Sequence, residues 1–141
     1  LAVAESCTGG LIAKRITDFP GSSTYFRGGV VAYADQIKIE LLGVDEAVLV
    51  ENGAVSEVVA AGMGRGVADL LNADVGVGIT GIAGPEGGTP EKPVGTVWYA
   101  VSVKGAVRAS HRVFSGDREA VRERASQAAL RLLYQTLADG P

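Results

Sequence analysis

The chain has 141 residues, 47% hydrophobic and 21% charged, which excludes a disordered polymer and fits one domain with its own core. One cysteine and one histidine exclude a disulfide framework and any zinc site built from several Cys or His side chains. A net charge of −3 argues against a general nucleic-acid binder, and no apolar run approaches the ~18 residues of a membrane helix. With no charged-then-apolar leader, the expectation is a soluble cytoplasmic protein with no nucleic-acid and no membrane partner. The charge is uneven, however. Residues 108–141 hold six Arg and four acids, whereas residues 1–107 hold seven bases and twelve acids, so an anionic ligand would meet the C-terminal segment. Glycine, at 20 residues, is about twice its usual ~7% share and sits in clusters between apolar runs.

In chain order, residues 1–4 read as a short strand, and Gly9-Gly10 opens a helix over 11–16 that ends before Pro20. Residues 25–34 are β-branched, aromatic and glycine-rich, hence a strand. Asp35 is placed to cap a short helix through Leu42 that Gly43 stops. Ser56 caps a longer helix with Val59, Met63, Val67 and Leu70 on one ridge; its Gly62, Gly64 and Gly66 imply a close neighbour. Residues 74–80 form a buried-type strand, followed by a glycine loop to Pro93. Residues 94–103 and 106–114 make a hairpin with Lys104-Gly105 as its turn. Asp117 begins a last amphipathic helix with Val121, Ala125, Ala128 and Leu132 on one face. The β-α-β-α-α-β-β-β-α order predicts an α/β three-layer domain with a mixed β-sheet flanked by helices.

Four clusters could carry chemistry. The first, residues 4–10, runs from a strand into a helix, where free backbone N–H groups and the helix dipole favour an anion. Ser6 there reads as a helix cap, a phosphate ligand or a nucleophile beside an oxyanion hole. Neither the dinucleotide fingerprint nor the P-loop pattern is matched. The second cluster, residues 78–88 with Thr80 and Gly81, follows a strand and should reach the same carboxyl edge of the sheet as Ser6. Tyr33 and Lys38 form the third. A lysine is a general base only if burial or a nearby cation lowers its pKa, and spacing alone favours a solvated surface lysine. The fourth is residues 114–118, where Asp117 caps the last helix and Arg118 sits against the dipole, either for an anion or simply solvated. His111 lies mid-strand, away from every glycine turn, so lysine is the one plausible base for a serine nucleophile.

Ala4-Glu5-Ser6-Cys7-Thr8-Gly9-Gly10, Gly21-Ser22-Ser23, Gly53-Ala54-Val55-Ser56, Thr80-Gly81-Ile82-Ala83-Gly84-Pro85, Lys92-Pro93-Val94-Gly95-Thr96-Val97 and Phe114-Ser115-Gly116-Asp117-Arg118 together resemble the CinA C-terminal domain family. The resemblance spans essentially the whole chain. It implies nicotinamide-mononucleotide deamidase activity: hydrolysis of the carboxamide to nicotinate mononucleotide and ammonia, without metal or cofactor. By the same resemblance Ser6 is the nucleophile with Tyr33 and Lys38 as partners, and Thr8, Ser23, Thr80, Gly81 and Arg118 fall at the substrate. The partners expected are a small-molecule nucleotide, a second copy in a homodimer, and a fused N-terminal CinA domain in the full-length protein. Two other readings stay open: a nucleotide-binding regulatory module without turnover, and a serine amidase for an unrelated small amide.

Overall fold

In the computed structural model, which describes residues 1–140, the short apolar runs become a five-stranded sheet. Strands β1 (Ala2–Glu5), β2 (Gly28–Val31), β3 (Val75–Gly81), β4 (Thr96–Val103) and β5 (Ala106–Val113) lie in the order β2-β1-β3-β4-β5. The first three are parallel, and β4 runs antiparallel to both β3 and β5. Among the described residues five α-helices flank the sheet: α1 (Leu11–Thr17), α2 (Asp35–Glu40), α3 (Glu46–Asn52), α4 (Glu57–Leu70) and α5 (Arg118–Asp139).

Side-chain alternation along the strands divides the core in two. Val3, Val77, Ile79, Tyr99 and Val101 point to α1 and α5, meeting Ile12, Ile16, Val121, Ala125 and Leu132. Ala2 and Ala4 point the other way, onto Val59, Met63 and Val67 of α4 and onto Leu42, Val44 and Leu49. The molecule is thus the three-layer α/β domain with a mixed sheet that the element order predicts. Close approach explains the glycines of α4: a Cβ on Gly64 would lie 3.2 Å from the Gly76 carbonyl oxygen and 3.3 Å from the Gly78 nitrogen. A Cβ on Gly76 or Gly78 of β3 would collide with the α4 backbone at the Gly64 and Ala60 carbonyl oxygens, so only bare backbone fits between α4 and β3 there.

The hairpin is as expected, with Lys104 and Gly105 both at positive φ, as a type I′ turn requires. Other elements differ from the sequence expectation. The strand expected over 25–34 shrinks to Gly28–Val31, because β1 offers four partner positions; a 3-10 turn, Ser22–Thr24, precedes it. Ala34 rather than Asp35 is the N-cap of α2, and the Asp35 carboxylate turns to Lys38. Ser56 does stand at the N-cap of α4, but its hydroxyl donates to Gly53 O and makes no cap hydrogen bond. Leu70 leaves the α4 ridge and is exposed, and on α5 Ala129 is fully buried where Ala128 is only half-buried. Helix α3 was not expected; Asp45 caps it by accepting from the amides of Ala47 and Val48.

Candidate active site

The carboxyl ends of three parallel neighbours, β2, β1 and β3, meet at one edge, the usual ligand edge of an open α/β sheet. Ser6 follows β1, Tyr33 and Lys38 follow β2, and Thr80 and Gly81 end β3. Between them lies a cavity of about 200 Å³ that also takes in Cys7, Asp35 and Arg118. Two larger hollows, about 520 and 580 Å³, lie elsewhere, so chemistry rather than size singles this one out.

The turn that carries Ser6 is held from several sides. Glu5 is 1% exposed, and its carboxyl accepts from the Thr8 hydroxyl (2.6 Å) and from the amides of Ile12 (2.9 Å) and Ala13 (3.0 Å). It therefore caps α1 from the end of β1, while Gly10, the N-cap itself, sits at φ 107° with no side chain to offer. From α5, Arg122 donates to the carbonyls of Cys7 (3.0 Å) and Thr8 (3.2 Å). The Ser6 amide donates to Ile79 O, tying the turn to β3. Among the described residues, the amides of Cys7 and Thr8 enter none of the hydrogen bonds of this turn.

Lys38 is the decisive difference from the sequence expectation. It is no solvated lysine: it is 1% exposed, buried on α2. Its Nζ donates to Ser6 Oγ (3.0 Å), to Ala32 O (2.9 Å) and to Tyr33 O (3.3 Å), with Asp35 Oδ1 at 3.5 Å. Burial holds its pKa below the ordinary ammonium value, and the Asp35 carboxylate opposes that shift. Neutral Lys38 can give two N–H bonds to the carbonyls and keep its lone pair for the Ser6 hydroxyl. Cys7 is a different case. Burial pushes its thiol up to about 12, so it stays protonated near neutral pH and packs as a core side chain.

Thr80 is buried at the cavity wall and its hydroxyl donates to Ala54 O (3.0 Å). Arg118 spans the rim, donating to Gly84 O (2.9 Å) and to the Tyr33 hydroxyl (3.1 Å). The Tyr33 phenol therefore stands at the mouth beside Arg118, and its carbonyl is what touches Lys38. Thr8 and Ser23 are not among the cavity walls. The Thr8 hydroxyl is committed to Glu5, and Ser23 lines a separate hollow beside Leu1 and Val75, at the opposite end of the strands. His111 stacks on Trp98 with ring centroids 4.2 Å apart, on the far hairpin. Among the described residues, no three His, Cys, Asp or Glu side chains gather as a metal-holding group, and no helix is long and apolar enough to cross a membrane.

Glu5 and Arg122 were not singled out by the sequence, and Asp35 was read only as a helix cap. Glu5 lies inside the first motif, so its place was visible, but its partners seven and eight residues on were not.

Comparison with known proteins agrees with this architecture. The family described as the CinA C-terminal domain matches residues 1–137. A CinA-like protein of Gemmatimonas aurantiaca is 54% identical over 98% of this chain and 32% of its own length. The CinA-like protein of Mycobacterium tuberculosis is 50% identical over 100% of this chain and 33% of its own length. The chain thus spans about a third of the curated relatives it matches. Among solved structures, a competence-damaged protein (CinA) superfamily protein from Klebsiella pneumoniae superposes with TM-score 0.94 at 37% identity, covering 99% of this chain and 87% of that one. The competence/damage inducible protein CihA from Agrobacterium tumefaciens gives TM-score 0.92 at 40% identity, covering 95% and 82%. Matched over nearly its whole length by the family and by relatives at half identity or more, the chain belongs to the CinA C-terminal domain family.

Proposed function

We propose that this domain hydrolyses the carboxamide of nicotinamide mononucleotide to nicotinate mononucleotide and ammonia, with Ser6 as nucleophile and Lys38 as its base. The observation that carries the chemistry is the 3.0 Å contact between Lys38 Nζ and Ser6 Oγ around a lysine that is 1% exposed. A buried amine with a depressed pKa is the kind of base that can activate a hydroxyl near neutral pH. The substrate rests on the family resemblance of the motifs around Ser6, Thr80 and Arg118.

In this reading Ser6 Oγ bonds to the carboxamide carbon as its proton passes to Lys38 Nζ. The amide of Cys7, a wall residue of the cavity in the turn that Arg122 and Glu5 brace, is the donor assigned to the oxyanion. The C–N bond then breaks, and ammonia leaves with the proton from Lys38. Water adds to the resulting ester, giving its proton to Lys38, which returns it to Ser6 as the acid departs. A cavity of about 200 Å³ is below the ~300–1,000 Å³ typical of a whole ligand, so it suits the pyridine ring, with the phosphate left at the mouth by Arg118. Incubation with the mononucleotide tests the reaction: the reading requires ammonia and nicotinate mononucleotide in equal amounts. Binding without either product would favour a regulatory module instead.

A further inference from the structure

A groove of about 520 Å³ lies between α5 and the α5-facing side of β4 and β5, and it shares no lining residue with the Ser6 cavity. Arg112 of β5 and Arg124 and Arg131 of α5 line it, and no carboxylate does. None of the three forms an ion pair among the described residues; the neighbouring Arg108, by contrast, is neutralised by Asp139 at 3.1 Å. Arg124 spends one guanidinium nitrogen on Ser115, on its carbonyl (2.6 Å) and its hydroxyl (3.0 Å), which steadies it without cancelling its charge.

At the floor lies Tyr99, 3% exposed, whose hydroxyl has no hydrogen-bond partner among the described residues and is not sealed from the groove. Three guanidiniums outside any ion pair, with no carboxylate among the lining and a phenol hydroxyl open to the groove, offer donors to an anionic acceptor.

We propose that this groove is a second ligand site and that it takes a nucleotide bearing a pyrophosphate group. The donors are strung out rather than converging. Arg124, Gln127, Arg131 and Gln135 follow one stripe of α5, and their eleven-residue span extends about 16 Å along the axis. An elongated polyanion matches that spacing better than one phosphate does. Gln127 and Gln135 each offer both a donor and an acceptor, which suits a ribose or a base. The volume lies within the ~300–1,000 Å³ range of small-molecule sites.

Calorimetric titration of the chain with ADP at low ionic strength, with AMP and inorganic pyrophosphate as companion probes, tests the assignment. ADP saturates the wild type and binds more tightly than either AMP or pyrophosphate. Arg131→Gln and Arg112→Gln each weaken ADP by about 10-fold or more, the loss of one charge-assisted contact, with thermal melting to verify the fold. Tyr99→Phe weakens it to a smaller extent, and Arg118→Ala, at the other cavity, leaves it unchanged. The proposal is overturned if ADP does not saturate, if the groove variants bind like wild type, or if only Arg118→Ala loses binding. Pyrophosphate binding as tightly as ADP removes the nucleotide from the assignment, and capture of a polyglutamate peptide with no ADP binding replaces it by an acidic protein partner.

Discussion

Lys38 and Ser6 lie 32 positions apart in the chain, yet the Lys38 Nζ rests 3.0 Å from the Ser6 hydroxyl oxygen. The contact exists because β1 and β2 are parallel neighbours in register from Ala2↔Gly28 to Glu5↔Val31, so the segments that follow them emerge side by side. Ala32 N donating to Glu5 O extends that alignment one step beyond the ladder.

Replacing Lys38 by arginine should be as damaging as replacing it by alanine. A guanidinium keeps its proton, so it preserves the charge and removes the base. Both variants should lose about 10²-fold or more in kcat, the usual scale of a general base. An arginine variant with most of its activity would make Lys38 an electrostatic partner only.

The pH profile carries the same argument with a sign. kcat/KM should rise as Lys38 loses its proton, at a pH below the ordinary ammonium range, because burial is the dominant influence on it. The Asp35 carboxylate raises that pKa. Asp35→Asn should therefore move the ascending limb to lower pH. A limb that moves up or stays fixed would mean that another group controls the profile.

Glu5 supplies a stability prediction. Its two carboxyl oxygens accept three hydrogen bonds inside the protein. Glu5→Gln sets an amide donor against either the Ala13 N–H or the Ile12 N–H. The expected loss is about 2 kcal/mol, a fall in Tm of about 4–8 °C. Differential scanning calorimetry would measure it, and an unchanged Tm would mean the α1 cap is dispensable.

Arg118 separates substrate recognition from chemistry. Nicotinamide riboside, lacking the phosphate, should be a much poorer substrate than the mononucleotide. Arg118→Ala should lower kcat/KM for the mononucleotide by about 10- to 150-fold, corresponding to roughly 1.5–3 kcal/mol for a charge-assisted contact. The riboside should be little affected, so the two substrates converge. Equal losses would assign Arg118 to holding Gly84 and Tyr33, its partners in the structure.

Some of this site was legible from residue order alone. A serine just after one short apolar run and a threonine at the end of another predict a shared sheet edge, and Ser6 and Thr80 do share it. The hairpin was equally readable, since Lys104-Gly105 fixes both its turn and its register. The burial of Lys38 was not. Its spacing is that of a surface residue, and what encloses it is tertiary: the Ser6 turn, the Ala32 and Tyr33 carbonyls and the adjoining core. Arg122 reaches backbone carbonyls 114 and 115 residues away, a relation that no local pattern encodes. Helix α3 spans only seven residues, too few for a hydrophobic period to register, although Asp45 and Gly53 mark its ends.

The most direct measurement is the rate of ammonia release from nicotinamide mononucleotide by the wild type and by Ser6→Ala, side by side, with thermal melting of both. Ser6 Oγ hydrogen-bonds to Lys38 and to no other side chain among the described residues, so its removal should leave the fold standing. Steady ammonia release by the wild type is expected, with a loss of at least ~10³-fold in kcat for Ser6→Ala at nearly unchanged Tm. Near-wild-type release by a well-folded Ser6→Ala protein, or none by the wild type, would contradict that expectation.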